Sequence, residues 1–157
     1  MKQKVYIETT IISYLAARHS KNTIIAGRQV LTQDWWDECS HSFDLVVSEL
    51  VFQEASDGDP EFAKKRIDYI NEFDSLEITD ESVLLAEALV KEGAVPKQFG
   101  EDALHIAVCA VNGIEFLLTW NCKHLANAIR RHKIESTVEK NGYRCPVICT
   151  PAELMED

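Results

Sequence analysis

The chain has 157 residues, of which 46% are hydrophobic and 27% are charged, and its formal net charge is −10. These values predict a single domain, residues 1–157, with a buried core, and they exclude a disordered chain. The negative charge disfavours a nucleic-acid binder without excluding one, because contacts to phosphate require local positive charge.

The N-terminal residues are basic but lead directly into a short strand-like run, Lys4-Val5-Tyr6-Ile7. This pattern does not fit a signal peptide. No apolar run approaches the roughly 20 residues that a membrane span requires. We therefore expect a cytoplasmic protein without membrane contact.

Short apolar runs alternate along the chain with longer helical patterns, several of which end at glycines such as Gly58, Gly93 and Gly113. The alternation predicts a mostly parallel sheet covered by helices on both faces. The proline at 146 places the last strand at an edge, since proline cannot donate to a central ladder. The strands are predicted at residues 4–8, 43–47, 76–78, 116–118 and 145–148. Helices are predicted after Thr9 or Thr10, up to about Ser40, after Ser48, Asp59 and Thr79, from Asp102 to Gly113, up to about Lys140, and from Pro151.

Four oxygen-bearing side chains follow the predicted strands or begin the helices after them: Glu8, Glu54, Asp102 and Asn121. The carboxyl ends of parallel strands meet at one edge of a sheet, so these side chains are predicted to converge there. Carboxylate and carboxamide oxygens suit Mg²⁺ or Mn²⁺. The alternative for each acid alone is a helix cap or a solvated surface charge.

Glu8 is the strongest candidate because it lies between two buried stretches, where a charge requires a partner, a proton or a metal. Asp102 begins an apolar helix, and Glu101 beside it is an alternative cap that would leave Asp102 facing inward. Converging carboxylates repel one another, and a divalent cation would relieve that repulsion and activate a bound water. Thr119 is either a hydrogen-bond donor to a carboxylate or a local turn residue.

The order of these motifs resembles the PIN domain, and within it the VapC-like toxins of bacterial type II toxin–antitoxin systems. The resemblance rests on four segments, Ile7-Glu8-Thr9-Thr10, residues 48–55, residues 102–107 and residues 118–125. It implies a three-layer α/β/α sandwich with about five strands and a Mg²⁺- or Mn²⁺-dependent endoribonuclease. Glu8, Glu54 and Asp102 then match the three main acidic positions and bind metal, Asn121 matches the fourth, and Thr119 matches the hydroxyl residue before it.

The resemblance also implies an RNA substrate, a homodimer and an antitoxin partner. Two positions depart from the family pattern, because Glu8 stands where Asp is usual and His124 stands where a late acidic residue is common. The alternative function is therefore a catalytically weakened PIN-like module that binds RNA or a protein. A phosphatase or small-molecule hydrolase is disfavoured, because no nucleophile elbow, Walker A loop or dinucleotide fingerprint is present.

Other residues have less specific interpretations. His105 is either a buried structural histidine or a contact of Asp102. The run Arg130-Arg131-His132-Lys133 is a solvated helix face, a nucleic-acid contact or a docking face for a partner. A zinc site from Cys122, His124, Cys145 and Cys149 fits no strong spacing pattern. Of Trp35 and Trp36, one is expected in the core and the other at an interface.

Overall fold

The computed structural model describes residues 1–156, in which five parallel strands form one sheet. The strands are β1 (Lys4–Ile7), β2 (Asp44–Ser48), β3 (Asp74–Leu76), β4 (Phe116–Leu118) and β5 (Val147–Cys149). Their order across the sheet is β3-β2-β1-β4-β5, and every neighbouring pair is parallel. The predicted α/β architecture with about five strands is confirmed.

Helices cover both faces of this sheet. They are α1 (Thr9–Ala16), α2 (Thr23–Glu38), α3 (Glu49–Ala55), α4 (Pro60–Ile70), α5 (Asp80–Lys91), α6 (Gly100–Val111) and α7 (Ala128–Lys140). Helix α1 packs with α2, α3 and α4, whereas α5 packs with α6 and α7, which gives the two helical layers of the predicted sandwich. None of the helices in residues 1–156 has the length and apolar character needed to cross a membrane.

Local sequence signals determine where several helices begin and end. Ser48 caps α3 by accepting a hydrogen bond from the Val51 N–H, and Asp59 caps α4, whose first residue is Pro60. Gly58, between these helices, has a φ of 83°, a conformation that costs glycine little. These signals agree with the boundaries predicted from sequence.

Two edge strands differ from the predicted positions. Strand β3 begins two residues earlier than predicted, because its register with β2 pairs Asp74 with Val46 rather than following the apolar residues. Strand β5 begins at Val147, whose N–H donates to the Glu115 carbonyl at 2.8 Å. Pro146 lies just before the strand because it has no N–H for that ladder bond.

The order of the strands creates a crevice at the carboxyl edge of β1 and β4. Chain connections run in one direction from β1 to β2 and β3, and in the other direction to β4 and β5. In open parallel sheets, ligands bind at such a switch point. Residues Val5, Tyr6 and Ile7 of β1 are fully buried, so the residue that follows them is held at the inner end of this crevice.

Helix α6 is almost entirely enclosed, as its apolar sequence predicts. Its residues from Ala103 to Ala110 are buried with the exception of Leu104, which is half-buried. The helix therefore presents its polar first turn to the carboxyl edge of the sheet while its body forms part of the core.

Of the two adjacent tryptophans, one lies in the core as predicted. The predicted interface role of the other stays a prediction. Trp35 is fully buried, stacks on Phe43 and donates its indole N–H to the Leu154 carbonyl at 3.0 Å. Trp36 is half-buried against Tyr69 and Phe73.

We expect Trp35→Phe to lower the free energy of unfolding by roughly 2 kcal/mol, because it leaves the Leu154 carbonyl without its donor and removes buried ring atoms. Trp36→Phe should cost less than about 1 kcal/mol, because Trp36 remains partly exposed. Urea denaturation of both variants measures the difference, and equal losses would contradict the assignment of Trp35 as the core anchor.

Candidate metal centre

Three carboxylates reach the carboxyl edge of the sheet from different elements. Glu8 follows β1 directly, and its backbone N–H donates to the Leu118 carbonyl of β4 at 3.1 Å. Glu54 lies in the last turn of α3, and Asp102 lies in the first turn of α6. Glu8 is thereby fixed at the switch point, and the two helices approach it from either side.

Two threonine hydroxyls hold the carboxylate of Glu8. Its Oε1 accepts hydrogen bonds from Thr10 Oγ1 at 2.5 Å and from Thr119 Oγ1 at 2.6 Å. Each hydroxyl in turn accepts a backbone N–H, from Trp120 at 2.8 Å and from Asn121 at 2.9 Å. Because these N–H groups occupy the hydroxyl oxygens, the hydroxyl protons are directed at Glu8.

Glu8 Oε1 therefore accepts two hydrogen bonds, whereas Glu8 Oε2 accepts none from residues 1–156. Glu8 is only 4% exposed. Thr119 is thus a donor to a carboxylate, which is one of the two roles that its sequence position suggests.

A chain of hydrogen bonds connects Glu54 to the core. His105 Nε2 lies 2.8 Å from Glu54 Oε1, and His105 Nδ1 lies 2.6 Å from the Tyr6 hydroxyl. The Tyr6 hydroxyl also contacts Ser48 Oγ at 2.7 Å. Thr9 Oγ1 donates to Glu54 Oε1 at 2.5 Å. With a neutral imidazole, Tyr6 donates to Nδ1 and the Nε2–H donates to Glu54, so the ring orients that carboxylate.

The electrostatic environments of the two glutamates differ. Burial raises the pKa of Glu8, and the negative Glu54 adds to this effect, while His105 and the threonine hydroxyls oppose it only in part. Burial also acts upward on Glu54, but the hydrogen bond and charge of His105 outweigh it and lower the pKa of Glu54. Burial acts downward on His105, yet its hydrogen bond to Glu54 and the charge of Glu8 raise its pKa. Glu8 is therefore the anionic group that is least compensated by the protein.

Glu8, Glu54 and His105 each direct one ligand atom into a common space, and these atoms lie within 4.8 Å of one another. Two carboxylate oxygens and one imidazole nitrogen would form a donor set for a divalent cation once the cation replaced the proton on His105 Nε2 and its bond to Glu54. Oxygen ligands suit Mg²⁺ and Mn²⁺, whereas an imidazole favours Mn²⁺ over Mg²⁺. In that state His105 would carry its proton on Nδ1 and donate it to the Tyr6 hydroxyl, which would fix the ring, as is usual for metal-binding histidines.

Asp102 does not join this group in residues 1–156. Its Oδ2 lies 2.9 Å from His124 Nδ1, and the His124 ring packs on Phe99 with centroids 4.0 Å apart. The sequence predicts that Glu8, Glu54 and Asp102 converge, and the structure brings the first two together with His105 in the third place.

The remaining predicted residues lie around the rim of the centre. Asn121 uses its carboxamide oxygen to accept the His124 N–H at 3.1 Å, so it stabilises the turn after β4. Glu101 is exposed, and the neighbouring Glu54 carboxylate raises the pKa of Glu101. Of the two alternatives for His105, the buried, hydrogen-bonded histidine is confirmed, because its ring faces the sheet from the buried side of α6 and bonds to Glu54 and Tyr6 rather than to Asp102.

The zinc alternative finds no support in residues 1–156, since no group of metal ligands there includes a cysteine. Burial raises the pKa of Cys145 and of Cys149 to about 12, so both thiols keep their protons at neutral pH. Metal binding by cysteine requires the thiolate.

Comparison with known proteins supports the fold. No family model and no curated protein matches this chain. Among solved structures, VapBC2 from Rickettsia felis bound to a DNA fragment from its promoter is similar, with a TM-score of 0.60 and 11% identity over 94% of this chain and 98% of that chain. The predicted PIN-like fold is thereby confirmed.

We expect Glu8→Gln to stabilise the protein in the absence of divalent cations. The raised pKa of Glu8 means that ionising it in the fold is unfavourable, and glutamine keeps the carbonyl acceptor for both threonines. The gain should be absent well below pH 4.5, the ordinary pKa of the group, and should appear as the pH rises through the raised folded value. A gain on the order of 1 kcal/mol corresponds to about 2–4 °C in Tm for a chain of this length.

Thermal unfolding in EDTA between pH 4 and pH 8 measures this difference. The exposed Glu72→Gln removes the same charge and should leave Tm unchanged. A constant Tm difference between Glu8→Gln and the parent across this pH range would contradict the buried-charge argument.

Proposed function

We propose that this protein is a metal-dependent endoribonuclease of the VapC-like toxin class. The observation that carries the proposal is the convergence of Glu8, Glu54 and His105 at the switch point of a PIN-like sheet. The fold alone does not specify an activity, so the argument depends on the chemistry of this site.

The residues divide into ligands and groups that position them. Glu8 and Glu54 supply anionic oxygens, and His105 supplies a nitrogen. A divalent cation at these groups would polarise a phosphoryl oxygen of RNA and lower the pKa of a bound water. Thr10 and Thr119 fix the free oxygen of Glu8 by binding its other oxygen, and Thr9 and His105 fix Glu54.

We assign Asp102 and Asn121 to the opposite side of the substrate path, where Asp102 orients water or supports a second ion. The bond from His124 to Asp102 holds that carboxylate in place. Glu101 lies at the solvent-exposed entrance beside Glu54 and supports its orientation.

The proposal includes a cytoplasmic single-domain protein that forms a homodimer and is inhibited by an antitoxin. The partner proposal is supported by the similar fold of VapBC2 from R. felis, which was crystallised bound to a DNA fragment from its promoter. Exposed apolar side chains on α2 and α5, such as Ile24, Val30 and Leu84, provide surface for such partners.

A non-catalytic PIN-like module is the second candidate. It is favoured by the fact that Asn121 and Asp102 are both engaged by His124, which leaves fewer free oxygens at the rim. Metal binding separates the two candidates, because the module requires none.

We expect the purified protein to cleave RNA with Mn²⁺ and to lose at least about 100-fold of that rate in Glu54→Gln. Loss of a ligand should exceed the 10–100-fold typical of outer-shell partners. Thr119→Val should fall within that smaller range, because it removes one donor from Glu8. Glu72→Gln, on the surface, should cleave like the parent. Equal rates for Glu54→Gln and the parent would refute the assignment.

We further expect calorimetry to show tighter binding of Mn²⁺ than of Mg²⁺, with His105→Asn weakening Mn²⁺ roughly tenfold more than Mg²⁺, because only the nitrogen ligand distinguishes the two ions. Tyr6→Phe removes the hydrogen bond between the Tyr6 hydroxyl and His105 Nδ1 but keeps the imidazole ring, so it tests that bond separately. Equal losses for both ions would make His105 a positioning residue for Glu54, and no binding of either ion at millimolar concentration would favour the non-catalytic module.

A further inference from the structure

A basic pocket lies beside the turn that follows β4. It has a volume of about 530 Å³ and is lined by Lys123, Arg130 and Lys133 together with Cys122, Ala94 and Asn127. Two of its cations, Arg130 and Lys133, belong to the basic run on α7 that the metal centre does not use. In a chain with a net charge of −10, this is a local concentration of positive charge.

The cations of this pocket have no directly bonded carboxylate. Within residues 1–156, none of the three forms an ion pair with a carboxylate. Arg130 makes a long contact of 3.4 Å to the Ala94 carbonyl. Glu92 is paired with Lys140 at 3.0 Å, and the charge of Lys133 also helps to lower the pKa of Glu92, so Lys133 is compensated in part at longer range.

The first turn of α7 contributes little to the charge of the pocket. Asn127 Oδ1 already accepts the N–H groups of Ile129 and Arg130. The positive side chains, rather than free backbone donors, therefore give the pocket its preference for anions.

The same turn joins this pocket to the metal centre. Cys122 and Lys123 line the pocket, while Asn121 and His124 lie at the rim of the centre. His124 packs on Phe99, whose side chain is 41% exposed. An exposed aromatic ring thus packs on the same turn that contributes Lys123 to the pocket.

We propose that the pocket of Lys123, Arg130 and Lys133 binds backbone phosphates of a single-stranded nucleic acid, with a base stacked on Phe99. This inference rests on the proposed function, because the pocket would bind a part of the RNA substrate that lies away from the cleaved bond. Phosphates of a flexible strand suit unpaired cations in a groove, and bases of a single strand are free to stack on an aromatic ring. A duplex keeps its bases stacked inside and cannot use Phe99.

The test uses the full chain in EDTA and a fluorescein-labelled single-stranded 2′-O-methyl oligoribonucleotide of about 12 nucleotides, a length in the range of known single-strand sites. Fluorescence anisotropy is measured at several salt concentrations. The triple variant Lys123→Gln, Arg130→Gln, Lys133→Gln should bind about tenfold more weakly. Its slope of log affinity against log salt should be shallower by about 2, since each phosphate contact to a single strand contributes about 0.7.

A matched control removes the same three charges elsewhere, with Lys2→Gln, Lys21→Gln and Lys64→Gln on exposed positions. It should bind within about twofold of the parent. Phe99→Ala should weaken binding about tenfold and Phe99→Trp should restore it, because stacking needs only an aromatic ring. Thermal unfolding confirms that each variant is folded.

Equal weakening by both triple variants would overturn the proposal, as would equal affinity for a duplex of the same length. Equal competition by polyglutamate would also overturn it, because the pocket would then accept an acidic peptide rather than a strand. These measurements need neither metal nor cleavage. If the protein binds the oligonucleotide through this pocket but does not cleave RNA, the ribonuclease proposal is refuted and the pocket proposal stands. If it cleaves RNA but the triple variant binds as tightly as the parent, the pocket proposal is refuted and the ribonuclease proposal stands.

Discussion

The carboxylate of Glu8, buried where β1 and β4 diverge, is the constraint on which the rest of the site depends. A charge at 4% exposure is unfavourable unless its surroundings compensate it. The compensation comes from two hydroxyls whose own oxygens are occupied by backbone N–H groups of the turn after β4. The turn therefore has to adopt one conformation for Glu8 to be tolerated, and that same conformation places Asn121 and His124 at the rim.

The second carboxylate is fixed through the core. The Tyr6–His105 pair connects the middle of β1 to the buried side of α6, and Glu54 accepts the far end of this chain. Any shift of α6 relative to the sheet would move the His105 ring and hence Glu54. The extensive burial of α6 thus has a functional consequence, because it keeps the spacing between Glu8 and Glu54 constant. The hydrogen bond to His105 also keeps Glu54 ionised, whereas burial disfavours the charge on Glu8.

Sequence predicts the parts of this arrangement that local chemistry determines. Apolar runs, caps and Pro60 specify most elements, and the rule that parallel strands end at one edge brings Glu8 and Glu54 together. Sequence does not specify which side chains pair across elements. His105 and Asp102 are one helical turn apart, yet the rotation of α6 on the sheet sends the first to Glu54 and leaves the second to His124. The predicted position of β3 is also wrong, because the register with β2 determines where the strand lies more than its few apolar residues do.

The distribution of charge would favour the binding of one metal ion over two. Where the family pattern has late acidic residues, this chain has Asn121, whose oxygen is used in the turn, and His124, which binds Asp102. A histidine on Asp102 competes with a metal for the same carboxylate, so a second cation would have to displace that bond. Glu8 has no such competitor at its free oxygen, whereas the bond from His105 to Glu54 Oε1 would have to give way in the same manner. A bound cation would therefore lie nearest the free oxygen of Glu8, on the side of the site that the core holds most rigidly.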